Sequence, residues 1–213
     1  MRMVVFDLDG TLIDSNSIKR DVFFSLAKRD LGGEDRIGRV LRTVQGDRHA
    51  IWSAYIRERD GGEASAADIL RAVQAYSAIV DDAVAAAPEM PGASVLLSRL
   101  RQAGLLLAVS SATPRENLMT ILAQRDWLER FNAVAGWPTT KVETLRSLMR
   151  NYRMLPNQLA VVGDGEDDCA SAQAIGCKFF SVGEGRGRPP EGRMYRLCDV
   201  GEEIIGQLGR TCA

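Results

Sequence analysis

Two acidic segments carry most of the chemistry legible in this chain. Phe6-Asp7-Leu8-Asp9-Gly10-Thr11-Leu12 ends a short apolar run, and Gly163-Asp164-Gly165-Glu166-Asp167-Asp168 ends another. Residues two apart in a strand point the same way, so Asp7 and Asp9 share one side at a strand's carboxyl end. Two like charges ~4 Å apart at an effective dielectric of ~20 repel by about 4 kcal/mol. Such a cluster retains protons or gathers a cation. An oxygen-only donor set favours a hard ion, and Mg2+ is the usual choice where phosphate completes the shell. Asp-Gly is also a common turn dipeptide, so either segment alone reads equally as loop chemistry. Two of them at strand ends in one chain weigh against that reading. The single histidine, His49, rules out a His-rich zinc site or an H-E-x-x-H helix within one chain.

The elements that would position these carboxylates follow from hydrophobic pattern. Apolar runs at residues 3–6, 105–109, 131–135, 159–162 and 178–182 are short enough for strands and apolar enough to be buried on both faces. Helix-period segments separate the last four. Thr113-Pro114-Arg115-Glu116 reads as an N-cap, a first-turn proline and a capping-box glutamate. Leu145, Leu148 and Met149 mark another helix, residues 170–175 a third with Gly176 as its stop, and Gly104 ends a helix over residues 93–103. This alternation predicts a Rossmann-like α/β core, a parallel sheet covered by helices.

Residues 15–88 break the rhythm. Stripes at Ile18/Val22/Phe23/Leu26, Ile37/Val40/Leu41/Val44, Ile51/Trp52/Tyr55/Ile56 and Ile69/Val73/Tyr76/Val80/Val84 predict four helices and no strand. The expected organisation is a core of residues 1–14 and 89–213 with an α-helical cap, residues 15–88, inserted after the first strand. That insertion point is where open α/β sheets bind ligands.

Composition confines any charged chemistry to one locality. The 213 residues hold 27 Lys and Arg against 28 Asp and Glu, so no global field recruits nucleic acid or an anionic membrane. Cys169, Cys177, Cys198 and Cys212 have no C-x-x-C spacing and read as reduced. Asp7 comes too soon for a signal-peptide apolar region, and no run reaches the ~20 residues of a membrane span. A soluble cytoplasmic protein, monomeric or weakly dimeric, is expected.

Asp7-Leu8-Asp9-Gly10-Thr11-Leu12 resembles the first signature of the haloacid dehalogenase-like superfamily. Leu107-Ala108-Val109-Ser110-Ser111-Ala112 resembles its second, with the alignment favouring Ser111. Lys141 matches the third, and Gly163-Asp164 with Asp168 the fourth. Met90-Pro91-Gly92 and the helix after it resemble the re-entry segment of phosphoglycolate phosphatase-like members. The resemblance implies a Mg2+-dependent phosphatase acting on a small phosphorylated metabolite, with phosphoglycolate suggested by subfamily. Asp7 would be the nucleophile and Asp9 the general acid and base. Lys141 would neutralise charge on Asp7 and the transferring group. Asp7, Asp9 through its backbone carbonyl, and Asp164 would hold the metal, with Asp168 orienting Lys141 or a metal-bound water and Asp167 as its substitute. Ser111, Ala112, Gly10 and Thr11 would contact substrate, and Arg48 of the cap is a candidate for a second anionic group.

Gly183-Glu184-Gly185-Arg186-Gly187 follows a strand but runs into Pro189-Pro190, so no helix N-terminus awaits a pyrophosphate and a dinucleotide site is rejected. The arginines of residues 183–196 read as a solvated loop. Two other readings use the same carboxylates: a β-phosphoglucomutase-type transfer to a sugar hydroxyl, and a phosphorylatable signalling or binding module without turnover.

Overall fold

A computed structural model describes residues 1–44, 46–182 and 194–210. In chain order the elements are β1 (Met3–Phe6), α1 (Asn16–Ala27), α2 (Gly33–Thr43), α3 (Arg48–Asp60), α4 (Ala66–Ala85), α5 (Ala93–Gln102), β2 (Leu106–Pro114), α6 (Arg115–Gln124), β3 (Ala133–Trp137), α7 (Lys141–Tyr152), β4 (Leu159–Gly163), α8 (Glu166–Ile175), β5 (Lys178–Val182), β6 (Met194–Tyr195) and α9 (Leu197–Arg210). They divide into two compact units. One comprises Met1–Asp14 with Pro88–Ala213, the other Ser15–Ala87.

The first unit is built on a sheet of order β3-β2-β1-β4-β5-β6 with every pairing parallel. Parallel strands need crossovers, and the intervening helices supply them. Met3, Val4, Val5 and Phe6 are at most 1% exposed, as expected for a central strand covered on both faces. Leu145, Leu148 and Met154 pack with Val5, Ala108 and Val161 beneath one face. Each such side chain contributes roughly 1.5–3 kcal/mol by leaving water. The carboxyl ends of β1, β2 and β4 thus meet on a rigid platform.

The largest departures from the sequence expectation are in β2, β3 and α8. β2 runs on to Pro114 and α6 begins at Arg115, with no side-chain cap from Thr113. Pairing of Pro114 with Trp137 on β3 holds those residues extended, and that tertiary contact overrides the local helix-start signal. β3 starts two residues later than expected, at Ala133. α8 begins at Glu166, not residue 170, which brings Asp167 and Asp168 into its first turn. Of the arginine-rich segment 183–196, residues 183–193 lie outside the described residues. Met194 and Tyr195 pair with β5, and Arg196 is bonded to Asp199.

The second unit consists of α1–α4. Phe23 stacks on Tyr76 at 4.2 Å and lies 5.4 Å from Trp52, forming an aromatic centre. Asp47 caps α3 by accepting the amides of His49 and Ala50 at 3.0 Å, and Ser65 caps α4.

Candidate active site

Strand continuity begins the site. The Asp7 amide donates to the Val162 carbonyl at 2.9 Å, so pairing of β1 with β4 persists one residue past Phe6. That brings Asp7 beside the loop after β4. Carboxylate oxygens of Asp7, Asp164 and Asp168 lie within 4.8 Å of one another. Asp7 and Asp168 are buried and Asp164 is half-buried.

Lys141 is the cation in this cluster. Thr140 and Glu143 form a capping box that fixes the start of α7. From the first residue of α7, the Lys141 ammonium donates to Asp7 at 3.0 Å and Asp168 at 2.6 Å, and pairs with Asp167 at 2.9 Å. An ammonium is disfavoured at a helix N-terminus, and three carboxylates offset that. Burial alone would lower the Lys141 pKa, yet Asp7, Asp168 and Asp167 hold it above its ordinary value.

The carboxylates respond in the other direction. Burial raises the Asp7 pKa well above the usual range; Lys141 opposes this, while Asp168, Asp9 and Asp164 push it further up. Burial likewise pushes Asp168 up to about 6, against the pull of Lys141. Asp168 also accepts the Gly165 amide at 3.2 Å. A Cβ on Gly163 would collide with the Asp168 carboxylate, so this position has room only for glycine. Asp168 and Asp167 both reach Lys141, but Asp168 belongs to the buried trio whereas the Asp167 side chain is 61% exposed.

The donor set suits a hard divalent cation. Asp7, Asp164 and Asp168 converge as oxygen donors; burial first, and the neighbouring carboxylates after it, disfavour the charged form of Asp7, which a nearby cation would favour. Lys141 pairs with Asp7, Asp167 and Asp168, so among the described residues these three carboxylates share one ammonium.

Asp9 sits on the β2 side. Its Oδ2 accepts from the Thr113 hydroxyl at 3.1 Å and the Ser111 hydroxyl at 3.4 Å. Ser110 faces elsewhere, lining a cavity of about 10 Å³ with Asp7, Lys141, Asp168 and Ser171. That is room for roughly one water, not a phosphate ester. The Thr11 hydroxyl donates to Asp164 at 3.1 Å, while the Gly10 and Thr11 amides donate to Ile13 and Leu8 carbonyls within the loop. Ala112 is exposed at the end of β2. Arg48 belongs to the helical unit, where its guanidinium donates to Ser77 at 2.6 Å, pairs with Asp81 at 3.8 Å and lies over the Tyr76 ring. Sequence reasoning treated Thr113 as a cap and so missed its contact with Asp9. The signal was its two-residue offset from Ser111, which puts both hydroxyls on one side if the strand continues.

The haloacid dehalogenase-like hydrolase family matches the chain over residues 4–182. Tyrosine-protein kinase PtkA of Mycobacterium tuberculosis (strain ATCC 25618 / H37Rv) is 30% identical over 194 residues, 88% of this chain and 64% of that protein. The chain therefore spans just under two-thirds of that relative. Phosphoglycolate phosphatase of Rhodospirillum rubrum is 27% identical over 207 residues, covering 92% of this chain and 85% of its own. Among solved structures, a predicted phosphoglycolate phosphatase from Haemophilus somnus 129PT superposes with a TM-score of 0.78 at 18% identity, over 96% of this chain and 98% of that one. At that identity the likeness concerns the fold.

Proposed function

Because the chain belongs to the haloacid dehalogenase-like hydrolase family, we propose that it is a Mg2+-dependent phosphatase of small phosphorylated metabolites, working through an aspartyl-phosphate. The observation that carries this reading is Asp7, buried and bonded to Lys141, in a converging trio with Asp164 and Asp168. Mg2+ bound by Asp7, Asp164 and the Asp9 carbonyl, with Asp168 at the same site, would offset the repulsion between the carboxylates and a phosphate dianion.

A carboxylate oxygen of Asp7 forms a bond to phosphorus as the bond to the leaving oxygen breaks, and the Asp9 carboxyl gives its proton to that oxygen. Water then attacks phosphorus, its proton passes to Asp9, and release of phosphate restores Asp7. Lys141 stays beside Asp7 throughout and balances charge as it moves onto the transferring group. Ser111 and Ala112 are the proposed phosphate contacts, and Gly10 and Thr11 shape the loop that holds Asp9 and Asp164. Arg48 is already engaged inside its own unit and is left out of the proposed substrate contacts.

The four-helix unit is proposed as the cap. The chain leaves the core after Asp14 and returns at Pro88, and the Asp14 amide donates to the Pro88 carbonyl at 2.9 Å. A cytoplasmic setting is part of the same reading; among the described residues no helix is long and apolar enough to cross a membrane.

The test is phosphate release from p-nitrophenyl phosphate and a metabolite panel that includes phosphoglycolate, with Mg2+ and with EDTA. Mg2+-dependent release is expected, and a folded protein that releases none overturns the reading. The identity to a tyrosine-protein kinase favours one alternative, transfer of the phosphoryl group to a protein hydroxyl in place of water. Labelled phosphate passing to a tyrosine-containing protein would mark that outcome. Isomerisation of a hexose 1-phosphate would mark the mutase variant.

A further inference from the structure

We infer that Thr113 is a positioning residue that holds the Asp9 carboxylate for proton delivery to the leaving oxygen; the inference rests on the phosphatase reading above.

The hydrogen bonds give the arrangement a direction. The Thr113 amide donates to the Ser111 hydroxyl oxygen at 3.1 Å. With that lone pair engaged, the Ser111 proton is directed away from the amide, towards Asp9 Oδ2 at 3.4 Å. The Thr113 hydroxyl donates to the same oxygen at the shorter distance of 3.1 Å. Ser111 is 3% exposed and Thr113 4%, so these bonds form away from competing water. Threonine is stiff at χ1, and it loses little freedom on holding one orientation.

An irregular stretch of backbone creates the arrangement. Between Ser110 and Pro114, β2 places three residues opposite the one, Gly136, that β3 places between Ala135 and Trp137. Bulges of this kind re-aim side chains beside active sites. Gly136 permits it: a Cβ there would lie 2.6 Å from the Thr113 carbonyl oxygen and 2.7 Å from Arg115 Cα. The proposed phosphate contact Ser111 and the positioning residue Thr113 thus come from one two-residue alternation, with Ala112 facing out between them.

A residue that aims the general acid matters most when the leaving group is a poor one. The experiment measures kcat/KM for wild type, Thr113→Val and Thr113→Ser across substituted phenyl phosphates, from p-nitrophenyl to p-methoxyphenyl, at saturating Mg2+. This parameter covers the steps through transfer to Asp7, where the leaving group departs. For Thr113→Val the variant-to-wild-type ratio should fall by about 5- to 10-fold along the series, and Thr113→Ser should restore most of the loss. Gly136→Ala, which displaces Thr113 without altering a carboxylate, should tilt the series the same way. If Thr113→Val does not fold by circular dichroism, Thr113→Ala against Thr113→Ser makes the same comparison through one oxygen atom.

A ratio equally reduced for every ester indicates a structural role and overturns this inference alone. A folded wild type with no turnover overturns the phosphatase reading, and this role with it.

Discussion

Asp7 is required by the proposed chemistry and is unfavourable for the fold, because it is a buried carboxylate among others. Asp7→Asn is expected to abolish phosphate release while leaving the melting temperature of the metal-free protein equal to or above that of wild type. A parallel measurement of turnover and melting separates that outcome from simple unfolding. Lys141→Met should do the opposite to stability. It strands Asp7 and Asp168 in a buried setting, and loss of one partner from a buried ion pair costs about 3 kcal/mol. Urea unfolding should show a lower midpoint for Lys141→Met, with a smaller deficit at pH 5 than at pH 7.5, where the stranded carboxylates are more fully charged. The residue types Asp7, Asp9, Lys141, Asp164 and Asp168 were legible in sequence because strand alternation and motif spacing are local. The difference between Asp167 and Asp168 was not local: both lie in the first turn of α8, and it depends on which side of that turn is buried against the end of β1.

Among the elements, the loop from β4 into α8 is tightly constrained at Gly163. Gly163 faces the Asp168 carboxylate so closely that any side chain displaces it. Gly163→Ala should therefore lower stability by roughly 1–3 kcal/mol and reduce turnover together, read from unfolding midpoints and rates on the same preparation. β2 teaches the complementary lesson. Its Thr-Pro-x-Glu segment is a sound local helix signal, yet Pro114 pairs with Trp137 of β3 and stays in the strand, and the Thr113 hydroxyl donates to Asp9 and does not cap α6. A propensity worth about 1 kcal/mol yields to a cross-strand contact that no local window contains. The four helices of the second unit were easier to read, since each carries its own 3.6-residue stripe, from Phe23 on α1 to Val84 on α4.

For the molecule as a whole, the buried carboxylates make stability depend on pH and metal. Asp168 has a folded pKa of about 6, above the ordinary value of about 4, and Asp7 is shifted the same way. The folded state then binds more protons than the unfolded one, so stability declines as pH rises from about 4 through 6. The metal-free protein is expected to melt higher at pH 5.5 than at pH 7.5. Added Mg2+ should raise the melting temperature more at pH 7.5 than at pH 5.5, as scanning calorimetry with and without EDTA would read. Equal Mg2+ effects at the two values would argue against metal binding at this cluster. Strand alternation, helical stripes and the ordered acidic motifs lie within short windows of sequence, and they were enough to specify a parallel α/β core, an inserted helical unit and the residue types of the proposed site. The meeting of Lys141 with Asp7 and Asp168, the facing of Ser111 and Thr113 onto Asp9, and the closure of Arg48 within its own unit join residues distant in sequence or depend on how packed neighbours orient them. Those contacts depend on register between strands and on where helices begin, and both are settled by long-range packing that outweighs local preference.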